Sequence, residues 1–101
     1  MTELPFYAVL YKPGSRWNDQ LPFHEQVGVG DHRDFLTKQY EAQTLAFGGP
    51  FLDNSGGLSV FQAASLEQLE DILRTDQSVT TGLLEFEIRP YHLGFKPRLI
   101  G

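Results

Sequence analysis

Residues 4–11, LPFYAVLY, carry aromatic, branched or aliphatic side chains at almost every position of a short run that KPG brings to a stop. A strand sends successive side chains to opposite faces, so a strand that is apolar throughout has no face suited to water. It belongs in the interior of a sheet with both faces covered. The rest of the chain must therefore supply flanking strands and a layer over each face.

DHRDFLTKQYEAQ, residues 31–43, places Phe35, Leu36, Gln39 and Tyr40 on one side of an amphipathic helix, with Asp31 as its N-cap. TLAFGGP reads as a second strand ending in a Gly-Gly-Pro turn, and DNSGG marks a sharp return into a third strand, LSVFQAA. SLEQLEDILRT opens with Ser65 and Gln68 at capping-box spacing and buries Leu66, Leu69, Ile72 and Leu73 at helical spacing. LLEFEIRP alternates Leu84, Phe86 and Ile88 against Glu85, Glu87 and Arg89, as a half-buried or edge strand that Pro90 ends.

The order β-α-β-β-α-β predicts an α+β, ferredoxin-like fold in one domain spanning residues 1–101. Its four-stranded antiparallel sheet has both helices on one face. No segment remains to cover the other face, so a symmetric homodimer with sheet packed on sheet is expected. The tail, YHLGFKPRLIG, is too apolar for a free terminus and is expected to pack, on its own chain or on a second subunit.

Charge and composition narrow the partners. Thirteen acidic residues against eight Lys and Arg give a net charge of −5, with the cations scattered, which argues against nucleic acid. The absence of cysteine removes disulfides, thiolate zinc sites and cysteine nucleophiles, and fits a reducing compartment. The start of the chain has no basic segment, and its apolar run falls far short of the roughly 18 residues that span a bilayer. A cytoplasmic protein without a membrane partner is expected.

The strand order also places chemistry. If the first strand runs upward, the start of the first helix (His32), the turn after the second strand (Gly48, Gly49, Pro50) and the turn before the last strand (Asp76) share one edge. The connection over residues 12–30 covers that edge and exceeds the about 12 to 15 residues usual for structureless loops. His32 has three readings: a polar residue beside a cap, a general acid or base held by a carboxylate, or a metal ligand. No HxH or HxxxH partner accompanies it, so no metal is expected. Asp76 is either a helix-ending turn residue or the carboxylate that orients His32. Gly-Gly-Pro is either a tight turn or a place where backbone and substrate come close. Arg16, Trp17 and His24 are ordinary loop surface, or an ion-pairing and stacking set for a small acidic or aromatic molecule. Ser15, Ser55 and Ser59 lack a nucleophile-elbow context.

DHRDFL, LAFGGPFLD, GGLSVFQAASLEQLEDIL and TDQSVTTGLLEFEIRPY together resemble the YciI-like, or YCII-related, proteins of the dimeric α+β barrel superfamily. The resemblance implies a homodimer, no obligatory cofactor, and an active-site pair at His32 and Asp76. The family usually has proline after that aspartate, where this chain has Gln77. Few members have a known activity; one branch eliminates chloride from a chlorinated hydroquinone, and the wider superfamily includes muconolactone isomerases and cofactor-free monooxygenases.

Two functions are expected to compete. The first is a small cofactor-independent lyase or isomerase using His32 and Asp76 for proton transfer on a small cyclic or aromatic acid. Gly48, Gly49 and Pro50 would shape its pocket, and Arg16, Trp17 and His24 would bind substrate. The alternative is a non-catalytic dimeric module that binds a small molecule. A third reading, a domain of a larger redox or transport enzyme, is weakened by a chain that ends at residue 101.

Overall fold

In the computed structural model, which describes residues 4–99, the elements run β1 (Phe6–Pro13), α1 (Val29–Glu41), β2 (Leu45–Pro50), β3 (Gly57–Gln62), α2 (Leu66–Leu73), α3 (Gln77–Thr80) and β4 (Leu84–Tyr91). A 3₁₀ turn, Phe23–Glu25, interrupts the long connection before α1. The four strands form one antiparallel sheet in the order β2-β3-β1-β4, which puts the apolar first strand inside it.

Register divides β1 between two layers. Tyr7 lies opposite Phe61, and Val9 lies opposite Ser59 and Ile88. Tyr7, Val9 and Tyr11 are buried in the core with Phe35, Phe61, Leu69, Leu73, Leu83 and Leu84. Phe6, Ala8 and Leu10 alternate with them on the other face and are only half-buried. On β4, Leu84 is buried and Phe86 and Ile88 pack against the core, while Glu85, Glu87 and Arg89 are exposed, as the alternation predicts.

Five local expectations need correction. The first helix starts at Val29, capped by Gly28 at φ +92°, so Asp31 is a first-turn residue and not the N-cap. Asp31 has the better capping side chain, but Val29 packs against the core and the helix gains three residues, 29–31, at its start. The buried face of α1 accordingly runs through His32 and Phe35, and Tyr40 is exposed. Gly48, Gly49 and Pro50 continue β2 instead of ending it in a turn, pairing with Ser59, Leu58 and Gly57. Pro50 and Pro90 are both tolerated because β2 and β4 are edge strands, so Pro90 does not end β4. Leu66 is exposed, because the first turn of α2 lies beyond the edge of the core that Leu69 and Leu73 enter.

The α2 cap forms with one shift: Ser65 Oγ accepts from the Gln68 N–H at 3.1 Å, and Gln68 Oε1 accepts from the Ala64 N–H at 2.7 Å. Of the tail, Phe95 and Leu99 are fully exposed, so these two side chains do not pack on their own chain. Ile100 and Gly101 lie outside the described residues.

Two glycines hold strands at close approach. A Cβ on Gly48 would meet the Leu58 carbonyl oxygen at 2.6 Å and the Ser59 Cα at 2.9 Å, next to the irregularity where the β2–β3 register shifts. A Cβ on Gly56, whose φ is +139°, would collide with the Tyr11 carbonyl oxygen. Gly56→Ala should therefore lower unfolding stability by about 1–3 kcal/mol, seen as a lower urea midpoint at unchanged m. An unchanged midpoint would show that the hairpin relaxes around the new methyl group.

Candidate active site

Asp76 caps α3. Its Oδ1 accepts from the Ser78 N–H at 2.9 Å and from the Ser78 hydroxyl at 2.8 Å, as an N-cap carboxylate does. The other oxygen, Oδ2, is 2.6 Å from His32 Nδ1 on α1. Asp76 is 0% exposed and His32 6%. A carboxylate taken out of water survives only with its lone pairs met, and three donors from two helices meet these.

That contact settles the imidazole. A carboxylate only accepts, so Nδ1 carries the proton and donates it to Oδ2. In the neutral ring the lone pair is then on Nε2, which has no protein partner among the described residues. The ring lines a cleft of about 540 Å³ between α1, the 22–24 segment and the β2–β3 hairpin. Asp76 does not reach the cleft; it stands behind His32.

Aromatic packing holds the ring from two further directions. Tyr11 meets it edge-on, with centroids 4.7 Å apart at 74°, and Phe23 lies 6.3 Å away. Trp17 in turn packs edge-on against Phe23 at 5.4 Å. The Tyr11 hydroxyl is buried with no hydrogen-bond partner among the described residues. Burial, with the nearby Asp76 carboxylate adding to it, pushes this hydroxyl far above the ordinary tyrosine range. It remains a neutral donor wherever the protein is folded near neutrality.

The cleft walls are set by the long connection. Gln26, 3% exposed, staples it: Oε1 accepts from the Asn18 N–H at 2.9 Å, and Nε2 donates to the carbonyls of Asn18 and Leu21 at 2.7 and 2.8 Å. The Phe23 N–H donates to Asn54 Oδ1 at 3.1 Å, tying this segment to the β2–β3 hairpin across the cleft.

The sequence candidates fall into three places. His32 with Asp76 forms a buried pair; His24, Gly49 and Pro50 line the same cleft. Gly48 is not among the lining residues and packs on β3. Arg16 and Trp17 also stand outside the lining: Arg16 is exposed with its N–H on the Gly82 carbonyl, and Trp17 braces Phe23 from behind. Sequence reasoning missed Tyr11, which reads as one more core residue of the first strand, and Gln26, Arg33 and Asn54, which carry no motif. Of the two aromatics in the long connection, Phe23 and not Trp17 reaches the cleft. Among the described residues no three His, Asp or Glu side chains converge as a metal site.

A model of the YCII-related domain matches residues 11–92, a span containing Tyr11, His32 and Asp76. The chain belongs to the YCII-related family. It is similar to the uncharacterized protein YjpA of Bacillus subtilis (strain 168), with 35% identity over 68 residues, 67% of this chain and 80% of that one. Among solved structures it is similar to the 5-chloro-2-hydroxyhydroquinone dehydrochlorinase TftG from Burkholderia phenoliruptrix AC1100 in complex with 2,5-dihydroxybenzoquinone. That match has a TM-score of 0.63 over 86% of this chain and 93% of TftG, at 16% identity, and at such identity it speaks for the fold. The YCII-related chain thus has the α+β ferredoxin-like architecture that its strand order predicts.

Three stability outcomes follow from the burial of this site. Asp76→Ala leaves His32 Nδ1 and the Ser78 donors buried and unpaired, and should cost about 3–5 kcal/mol in denaturant unfolding. Tyr11→Phe deletes a buried donor that has no partner, so it should be neutral or stabilising by up to about 1 kcal/mol. The Tyr11 proton is held more tightly in the folded chain than in the unfolded one. Wild-type stability should therefore fall as pH rises past about 10, the ordinary tyrosine value, and Tyr11→Phe should flatten that fall. Equal alkaline slopes in the two proteins would contradict the assignment.

Proposed function

We propose that this protein is a small cofactor-independent enzyme of the lyase or isomerase type, moving a proton on a small cyclic or aromatic acid. One observation carries this reading: a buried His–Asp pair at 2.6 Å whose histidine, and not its aspartate, borders a cleft. The likeness to a dehydrochlorinase that holds a dihydroxybenzoquinone supports a small oxygenated ring as the substrate class.

In this reading Nε2 of His32 takes a proton from a carbon next to a carbonyl. The C–H electron pair becomes a carbon–carbon double bond, and the carbonyl pair moves onto oxygen as an enolate. Returning the proton at another carbon isomerises the ring; expelling a halide from the neighbouring carbon eliminates it. Asp76 holds the imidazole orientation throughout and balances the positive charge formed on it. Proton transfer by one positioned histidine supplies about 10² to 10⁴ in rate, within reach of a carbon already acidified by its carbonyl. Gly49 and Pro50 form one wall, His24 stands in the lining, and Trp17 acts indirectly by bracing Phe23.

The same proposal makes the protein a homodimer. Phe6, Ala8, Leu10, Phe47 and Leu58 share the sheet face that no helix of the described residues covers and are half-buried, a strip that a second copy would close. No helix of the described residues is long and apolar enough to cross a membrane. A cytoplasmic setting fits a chain without cysteine.

His32→Ala, assayed against chlorinated hydroquinones and unsaturated cyclic lactones, should lose turnover or ring-proton exchange into deuterium oxide by about 10²-fold or more at unchanged mass. Retained activity would remove His32 from the mechanism. Ligands that bind the wild type without turnover or exchange would favour the non-catalytic binding module. Light scattering should give twice the 11.4 kDa chain mass for wild type, and Leu10→Glu should reduce it to one.

A further inference from the structure

The charge around the cleft runs against the charge of the chain. The sequence carries 13 acidic and 8 basic residues, yet among the described residues no Asp or Glu lines the cleft, and Asp76 is sealed behind His32. The lining contains one permanent cation, Arg33, the residue after His32 on α1. Arg33 is exposed and makes no ion pair among the described residues. Asp31 and Asp34 flank it in sequence, but residues one and two apart on a helix do not face each other. His24 is less available, because the Glu25 carboxylate is 3.7 Å from its Nε2.

The second observation is independent of charge. Tyr11 lines the cleft, is 3% exposed, packs edge-on against His32, and has a hydroxyl with no partner. Buried donors are almost always paired, so an unpaired one beside a proposed proton carrier marks a partner that arrives from outside the chain. Phe23, Leu36 and Phe51 supply apolar walls suited to a flat ring.

We infer that the cleft takes a small planar organic anion, its charged end on Arg33 and a ring oxygen on the Tyr11 hydroxyl. The inference rests on reading this cleft as the substrate site, and it moves the ion-pairing role expected of Arg16 to Arg33. In the reaction proposed above, the Tyr11 hydroxyl would face the oxygen that gains charge when His32 removes the proton, as an oxyanion-stabilising donor.

Titration calorimetry of the full chain with benzoate, salicylate and benzamide tests it without any turnover. Benzoate should bind at least about tenfold more tightly than uncharged benzamide, the margin of a charge-assisted pair. Arg33→Gln should erase that difference, and Arg33→Lys should restore part of it, since lysine keeps the charge without the planar fork. Salicylate should bind more tightly than benzoate through its extra hydroxyl, and Tyr11→Phe should remove only that increment. Equal affinity for benzoate and benzamide, no measurable binding of either acid, or an unchanged charge preference in Arg33→Gln would overturn the inference. An unchanged salicylate increment in Tyr11→Phe would overturn its Tyr11 half. Charge preference in a protein that turns nothing over would leave the inference standing and remove the enzymatic reading. Loss of turnover in His32→Ala with no charge preference would do the reverse.

Discussion

A carboxylate with no solvent exposure has to be met by donors, and the local packing around Asp76 follows from that need. One oxygen is met by Ser78, on the helix that Asp76 itself caps. The other oxygen can be met only from outside that helix, and His32 of α1 meets it. The bond therefore does two things at once: it docks the start of α1 against α3, and it fixes which imidazole nitrogen faces the cleft. Breaking it would not free a side chain so much as leave an unpaired charge in a medium that cannot solvate it. The structural role and the proposed chemical one share the same 2.6 Å contact, so a substitution there acts on both.

The central strand divides these duties in space. Tyr7, Val9 and Tyr11 face the helices, and the last of them reaches the cleft; Phe6, Ala8 and Leu10 face away. Because the period of a strand is two, a change on the open face would alter the proposed landing surface of a second copy without touching the cleft. This separation would let Leu10 report on the proposed assembly while Tyr11, the very next residue, reports on the candidate site.

Strand order was legible because each element announces itself locally: alternation in residues 84–89, the Ser65 cap, the double-faced first strand. Topology placed His32 and Asp76 at the same edge of such a sheet, and the family resemblance named them as a pair; the contact between them is seen only in the structure. What stayed hidden depends on contacts distant in sequence. Gly28 caps α1 because Val29 finds the core, which no capping preference encodes. Phe23, not Trp17, reaches the cleft because Gln26 and Asn54 fold and pin the intervening loop. Tyr11 reads as core in sequence and is core in structure; only the missing partner of its hydroxyl sets it apart.

Gln77 bears on how tightly the aspartate is held. Proline at this position would be the first residue of α3, where a fixed φ suits a helix start and no N–H is needed. It would stiffen the turn from one side. Here the same restraint comes from the other side, through two Ser78 donors on Oδ1 and the His32 ring on Oδ2. The Gln77 carbonyl adds to it by accepting the Thr81 N–H and the hydroxyls of Thr80 and Thr81, closing α3 into a compact turn. Orientation of Asp76 is thus set by hydrogen bonds to its own carboxylate, and a side chain at residue 77 that leaves the backbone helical has no lever on it.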